Sequence, residues 1–423
     1  MRSLSEGLPL DAMASRSLEA LADAGSVQPA GRAPGACAAR ARLGGVPVVM
    51  AATDPALDSG AIGRQEAVVI GAAAGEAQAR GVPLVLLLDS AGARLTEGVA
   101  VLGAFRRLQG AIVAAVEAGV PLAAVLGRHC FGGASLLACS ARARFYGRHT
   151  LFGLSGPRAL GGAVGVRLSP EVVDGVYGVQ SRLPRDPAGV LADAAQLPAA
   201  LRAWCREPAP AESLRGSHAL LRRALPRDDT LRPGPAPVEL VDQLDPLFPD
   251  GWQAQVVDGA VSGQARTRRG PVAFAGFVQG HAVSPRAALW LAGALLEMNA
   301  SAGPEQVVLL LDSPGQSTSL EHERLLPSMA VAHACAAAAR LRASGRHVEL
   351  WLAGQAGGAI YVALAAAADQ VMAFSATRLQ TLPLKAVDGV IGAGMAAEAD
   401  PQTCLAAGVV DRWVGEYREA GET

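Results

Sequence analysis

Val82-Pro-Leu-Val-Leu-Leu-Leu-Asp-Ser-Ala-Gly92 is an apolar run closed by a small-residue turn, and Gln306-Val-Val-Leu-Leu-Leu-Asp-Ser-Pro-Gly315 repeats it. Further on, Val120-Pro-Leu-Ala-Ala-Val-Leu-Gly127 leads to Phe131-Gly-Gly-Ala-Ser135, and Val348-Glu-Leu-Trp-Leu-Ala-Gly354 leads to Ala356-Gly-Gly-Ala-Ile360. Asp312 lies 223 residues after Asp89, and Gly358 lies 225 after Gly133. Two landmarks at nearly one offset identify an internal duplication.

Each copy reads as strand, glycine turn, helix, strand, glycine pair, helix. The apolar runs are short, rich in Val and Leu, and bounded by Gly or Pro, as parallel strands covered on both faces are. Long helices are expected over 98–118 and 321–344, with Pro327 in a first turn or at a break. This alternation predicts a wound α/β layer in each half. Residues 207–237 hold Pro208, Pro210, Pro226, Pro233, Pro235 and Pro237 and read as a linker with a short helix over 213–224. The expected domains are therefore 1–205 and 251–423, joined by a Pro-rich segment at 206–250. A second loop is expected over 150–170, where glycines crowd.

Composition narrows the partners. With 37 basic against 38 acidic residues the chain has no broad positive footprint for a nucleic acid. No apolar stretch is long enough to span a bilayer. Glu6 and Asp11 interrupt the start of the chain, which argues against a secretory leader and for a cytoplasmic location. The six cysteines, Cys37, Cys130, Cys139, Cys205, Cys335 and Cys404, contain no Cys-x-x-Cys pair and read as buried free thiols, with no metal site.

Gly132-Gly133 follows a strand and opens a helix, where unpaired backbone N–H groups point along the axis and glycine admits an acyl oxygen. The turn at Gly92 and Ala93 presents a second donor to the same end of the sheet. Two converging N–H groups form an oxyanion hole able to stabilise the enolate of a thioester. Gly357-Gly358, with Gly315 and Gln316, repeats the arrangement. A glycine pair at a strand-to-helix turn also serves plain close packing, and duplication repeats that constraint too.

Asp89-Ser-Ala-Gly-Ala-Arg-Leu-Thr-Glu97 with Phe131-Gly-Gly-Ala-Ser135 resembles the β subunit of biotin-independent malonate decarboxylase and, more distantly, biotin-dependent carboxyltransferase subunits. Asp58-Ser-Gly-Ala-Ile-Gly-Arg-Gln-Glu66 is similar to an upstream segment of that β subunit. The second half resembles the γ subunit through Asp312-Ser-Pro-Gly-Gln316, Ala332-His333, Ala339-Arg340, Gly345-Arg-His347, Gly357-Gly-Ala359 and Leu382-Pro383. The resemblance implies a fused β–γ chain of two tandem crotonase-like α/β domains. It also implies decarboxylation of a malonyl thioester by a carboxy-lyase. The malonyl group would ride on a phosphopantetheine-type arm or coenzyme A, with no covalently bound cofactor. The implied partners are an acyl carrier protein subunit and an acyltransferase subunit, with homo-oligomerisation open. Ala91 and Gly357 depart from the family pattern, which has glycine and serine there.

For His129, just before the glycine pair, the readings are proton donor to the enolate or loop residue. Arg94 either attracts the substrate carboxylate or pairs with Glu97. Gln316 either bonds the acyl group or closes its turn. His281 follows a strand end and faces the cleft in the functional reading. His333 and His347 read as packing or capping residues. Ser135 and Ser155 have no base partner in the sequence pattern. The alternatives to the decarboxylase are a biotin-dependent acyl-CoA carboxyltransferase and a catalytically weakened scaffold in a larger complex. The first domain, with the fuller motif, is expected to hold the thioester, and the second to complete the pocket.

Overall fold

A computed structural model describes residues 13–225, 234–235, 238–392 and 399–415. The chain divides into two compact units. One takes in residues to 94, 107–156 and 169–211; the other takes in 95–106, 157–168 and 212 onward.

The sheet of the first unit begins with an antiparallel set, Gln28–Ala33 (β1), Ala36–Leu43 (β2) and Val46–Thr53 (β3). It continues in parallel through Leu84–Ser90 (β4), Leu122–Phe131 (β5), Ala143–Tyr146 (β6) and Gly189–Leu191 (β8), with Leu151–Gly153 (β7) added to the end of β5. Helices Arg64–Arg80 and Ala100–Glu117 make the crossovers that parallel strands require. The runs that read as buried strands are buried along their length: no residue of 84–88 is more than 9 % exposed.

The second unit repeats this order. Gly234–Pro235 (β9), Trp252–Val257 (β10), Ala260–Thr267 (β11) and Gly270–Phe277 (β12) are antiparallel. Gln306–Ser313 (β13), His347–Gly357 (β14), Gln370–Ala373 (β15) and Arg412–Trp413 (β17) follow in parallel, and Arg378–Gln380 (β16) joins the end of β14 as β7 joins β5. The architecture is two α/β sheets, mixed parallel and antiparallel, that follow one another along the chain. The antiparallel strands at one edge of each sheet are absent from the sequence reading.

Three local expectations change. The helix expected over 321–344 is two, Leu320–Arg324 and Pro327–Ala343, separated where Leu326 takes φ +56°. Pro327, with no N–H to satisfy, opens the second of them. The loop expected over 150–170 contains β7 and the helix Pro157–Val164, which a proline likewise starts. Gly162 serves packing: a Cβ on Gly389 would lie 2.7 Å from the Gly162 Cα, so only glycine at 389 lets helix Leu384–Ile391 approach this closely. In the Pro-rich stretch, Ser213 caps the helix Leu214–Ala224 by accepting the Gly216 N–H at 3.0 Å. Pro226, Pro233 and Pro237 lie outside the described residues, as do Glu6 and Asp11. No described helix is long and apolar enough to cross a membrane.

Helix Leu214–Ala224 sits in the second unit on His218, whose ring stacks on buried His333 at 5.4 Å. Burial, reinforced by the neighbouring imidazole, pulls the His333 pKa from 6.5 down to about 4. An unfolded chain takes up that proton at higher pH than the folded one. Stability is therefore fully present above about pH 6.5 and falls as pH drops through that window, by about 3 kcal/mol for a shift of this size. Urea midpoints at pH 7 and pH 5 are expected to differ accordingly, and the difference is expected to shrink in His333→Phe.

Candidate active site

The first turn is built by side chains of its own motif. Ser90 Oγ accepts the Gly92 N–H at 3.1 Å, closing the turn after β4. The Asp89 carboxylate accepts the N–H groups of His129 at 3.1 Å and Arg128 at 3.2 Å. Leu88 pairs with Leu126 and Ser90 with Cys130, so three residues of β5 bulge opposite Asp89. A Cβ on Gly127 would lie 2.3 Å from the Asp89 Cβ, which is why glycine stands in the bulge. Asp89 is thus a scaffold residue that re-aims the end of β5 toward the helix start.

Gly92 and Gly132 are where the two loops meet. Both hold left-handed backbone, φ +105° and +56°, and a Cβ on Gly132 would lie 3.3 Å from the Gly92 Cα. Their own N–H groups are used: Gly92 bonds Ser90, and Gly132 donates to the Leu154 carbonyl at 3.0 Å. The next residues carry the free donors. Among the described residues neither the Ala93 N–H nor the Gly133 N–H has an acceptor, and both residues are half-buried. Ala93 is held in place because Ile62 donates to the Gly92 carbonyl at 2.8 Å and accepts from Arg94 at 3.0 Å. The sequence reading grouped Gly92, Ala93, Gly132 and Gly133; the structure brings them together with Ala93 and Gly133 as donors and the other two as spacers.

The second unit repeats the scaffold. Ser313 Oγ accepts the Gly315 N–H at 3.2 Å, Asp312 Oδ1 accepts the Gln355 N–H at 2.8 Å, and Gly358 donates to the Thr381 carbonyl at 3.1 Å. Gly315 and Gly358 have φ +126° and +60°. This pattern corrects the pairing of the copies by one residue. Gly358, not Gly357, starts its helix as Gly132 does, so Ala359 matches Gly133 and Gly357 matches Phe131. Gly357 is an extended residue whose Cβ would lie 2.4 Å from the Gln380 carbonyl oxygen, so close approach of β16 excludes a side chain there. Gln316 is buried, and its Oε1 accepts the Ala359 N–H at 3.0 Å.

The remaining candidates separate. The His129 ring is half-exposed in the β5 bulge, with Nδ1 3.9 Å from Asp89 Oδ1 and its centroid 6.0 Å from that of Phe131. Burial, aided by Arg128, lowers its pKa against the opposing pull of Asp89, so the charged imidazolium is disfavoured near pH 7. Arg94 donates to buried Glu66 at 2.8 Å and to the Ala61 carbonyl at 3.0 Å, with Asp58 3.1 Å from its Nε. Glu66 in turn accepts the Gly35 and Gly63 N–H groups, each at 3.0 Å. Arg94 therefore anchors the 58–66 segment to the turn that carries Ala93. The His281 side chain is exposed, while its carbonyl accepts from Ser313 Oγ at 2.7 Å. His322 Nδ1 stands 2.7 Å from Ser317 Oγ beside the second turn, a pair five residues apart that no sequence motif singled out. All six cysteines are free. Burial pushes Cys130 well above the usual thiol range and Cys139 up to about 12, against a thiolate role at either. Among the described residues no group of three or more His, Cys, Asp or Glu is placed to hold a metal ion.

Fold and site together define a class: an α/β unit with two backbone donors at the junction of a strand-end turn and a helix start. Residues 26–179, which contain both loops of the first site, match the family model described as the carboxyl transferase domain. Among solved structures, the MdcD–MdcE hetero-dimer of Pseudomonas malonate decarboxylase matches at 29 % identity, over 50 % of this chain and 94 % of that one, with a TM-score of 0.43. A Pseudomonas malonate decarboxylase hetero-tetramer in complex with malonate matches at 26 % identity, over 52 % and 91 %, with a TM-score of 0.46. The transcarboxylase 12S hexamer matches at 17 % identity, over 97 % and 88 %, with a TM-score of 0.42. No curated protein matches the chain.

Proposed function

We propose that the chain decarboxylates a malonyl thioester, carried on a phosphopantetheine-type arm or on coenzyme A, at the first unit. The observation that carries this reading is the pair of unpaired backbone donors at Ala93 and Gly133, inside the stretch that matches the carboxyl transferase domain. The thioester carbonyl oxygen accepts both N–H groups. As the bond from the α-carbon to the carboxylate breaks, carbon dioxide leaves, the bonding pair forms the enolate double bond, and the carbonyl π pair moves onto that oxygen. The donors are rigid, so they stabilise the developing enolate more than the ground-state carbonyl. Water protonates the α-carbon, giving the acetyl thioester, and the remaining hydroxide joins carbon dioxide as hydrogencarbonate. His129, neutral beside the site, orients that water in this reading. Partner chains supplying the acyl carrier and the acyl transfer step belong to the same proposal.

The family model favours a second reading, transfer of the carboxyl group between the thioester and biotin. Purified protein incubated with malonyl thioester is expected to release carbon dioxide, unchanged by avidin. Release that needs added biotin supports the transferase instead. No release, with or without an acyl carrier protein, overturns both enzyme readings in favour of a scaffold.

A further inference from the structure

Of the positions at which the two copies of the site differ, one decides what each can bind. The position after the turn glycine is Ala93 in the first unit and Gln316 in the second. Around it the scaffold is the same, down to the serine clamps, the aspartate-capped bulges and the left-handed glycines. At the first site a methyl group leaves the helix N–H of Gly133 without an acceptor among the described residues. At the second, the Gln316 side chain turns back over Gly358 and its carbonyl oxygen accepts the matching N–H of Ala359 at 3.0 Å. Gln316 is 4 % exposed, and a Cβ on Gly358 would lie 2.4 Å from that oxygen, so the amide fills the space next to the glycine. Gly357, Gly358 and Ala359 are buried, whereas Gly132 and Gly133 are half-buried.

We propose that the second unit contains a latent acyl-carbonyl site which the chain closes with its own Gln316 amide. The inference rests on the reading of the first site as a thioester oxyanion hole. A side-chain amide presents the same planar carbonyl oxygen as a thioester and is a better acceptor. Tethered in the fold, it competes at a high effective concentration with any diffusing ligand. One chain therefore binds one thioester, at Ala93 and Gly133, and Gln316 is what denies the second site to another.

Exchange of the two residues tests this. The probe is a dethia ketone analogue of acetyl-coenzyme A, which keeps the carbonyl oxygen and has no carboxyl group to lose, titrated by calorimetry into full-length protein. The wild type is expected to bind one equivalent and Gln316→Ala two. Ala93→Gln, at a half-buried position, is expected to lose about 10²-fold in affinity at the first site. A wild type that already binds two equivalents overturns the proposal. So does a folded Gln316→Ala that binds no more than the wild type. If Gln316→Ala does not fold, the affinity of Ala93→Gln decides: unchanged binding overturns the proposal, and the expected loss supports it. A wild type that binds none removes the reading of the first site alone. In that event one equivalent bound by Gln316→Ala still supports the latent site, and none overturns it.

Discussion

Removal of the Gly133 N–H is expected to slow carbon dioxide release by about 10²- to 10³-fold, the usual cost of deleting one oxyanion donor. Gly133→Pro does this at the second position of its helix, where proline breaks no intrahelical hydrogen bond. Because Gly132 precedes it in a left-handed conformation, a second variant guards against misfolding. Glycolic acid in place of Gly133 exchanges the N–H for an ester oxygen and leaves the shape unchanged. Turnover is expected to fall in both while the Michaelis constant changes less, because the donor acts on charge that develops in the transition state. Two folded variants with near wild-type turnover would move the reaction away from this hole.

Arg94→Ala is expected to destabilise the protein by about 3–5 kcal/mol, the cost of leaving a buried charge without its partner. Glu66 is fully buried, and its carboxylate bonds Arg94 and the N–H groups of Gly35 and Gly63. Burial opposes its charge, but the guanidinium and the backbone donors outweigh burial and hold its pKa below the ordinary 4.5. The pair therefore stabilises the fold above that pH and is lost as pH falls through the depressed value. Without Arg94 the buried carboxyl favours its protonated form, so the gap between variant and wild type is expected to narrow on acidification. Urea midpoints at pH 7 and pH 4.5 measure this. Arg94→Ala with Glu66→Gln is expected to recover part of the loss, since no unpaired charge is then buried. Because Arg94 follows Ala93, turnover is expected to fall in both variants. A purely exposed ion pair would cost less than about 1 kcal/mol and show little of this pH dependence.

The parts of the fold legible in the sequence are those set by local pattern. The runs 84–88 and 307–311 are apolar at every position, and a strand covered on both faces has no alternation to hide. Pro327 opens a helix as its ring geometry dictates, whereas the helix that Pro157 starts lies in a stretch whose glycines read as a loop. The antiparallel edges were less visible. Ala36–Leu43 reads Ala-Cys-Ala-Ala-Arg-Ala-Arg-Leu, a composition with high helix propensity, and only pairing with Val46–Thr53 makes it a strand.

At the site, the sequence alone determined a duplicated α/β fold and four glycine-bearing loops with the residue types of an anion hole. It did so because steric permission is written in residue identity: only glycine accepts φ +105° beside another backbone. The tertiary structure decided which N–H groups are free, that the second glycine pair is offset by one, and that Arg94 belongs to Glu66. It also decided that Gln316 reaches Ala359, 43 residues further on. These are contacts between segments distant in the chain, and a hydrogen bond is fixed by where two loops meet in space.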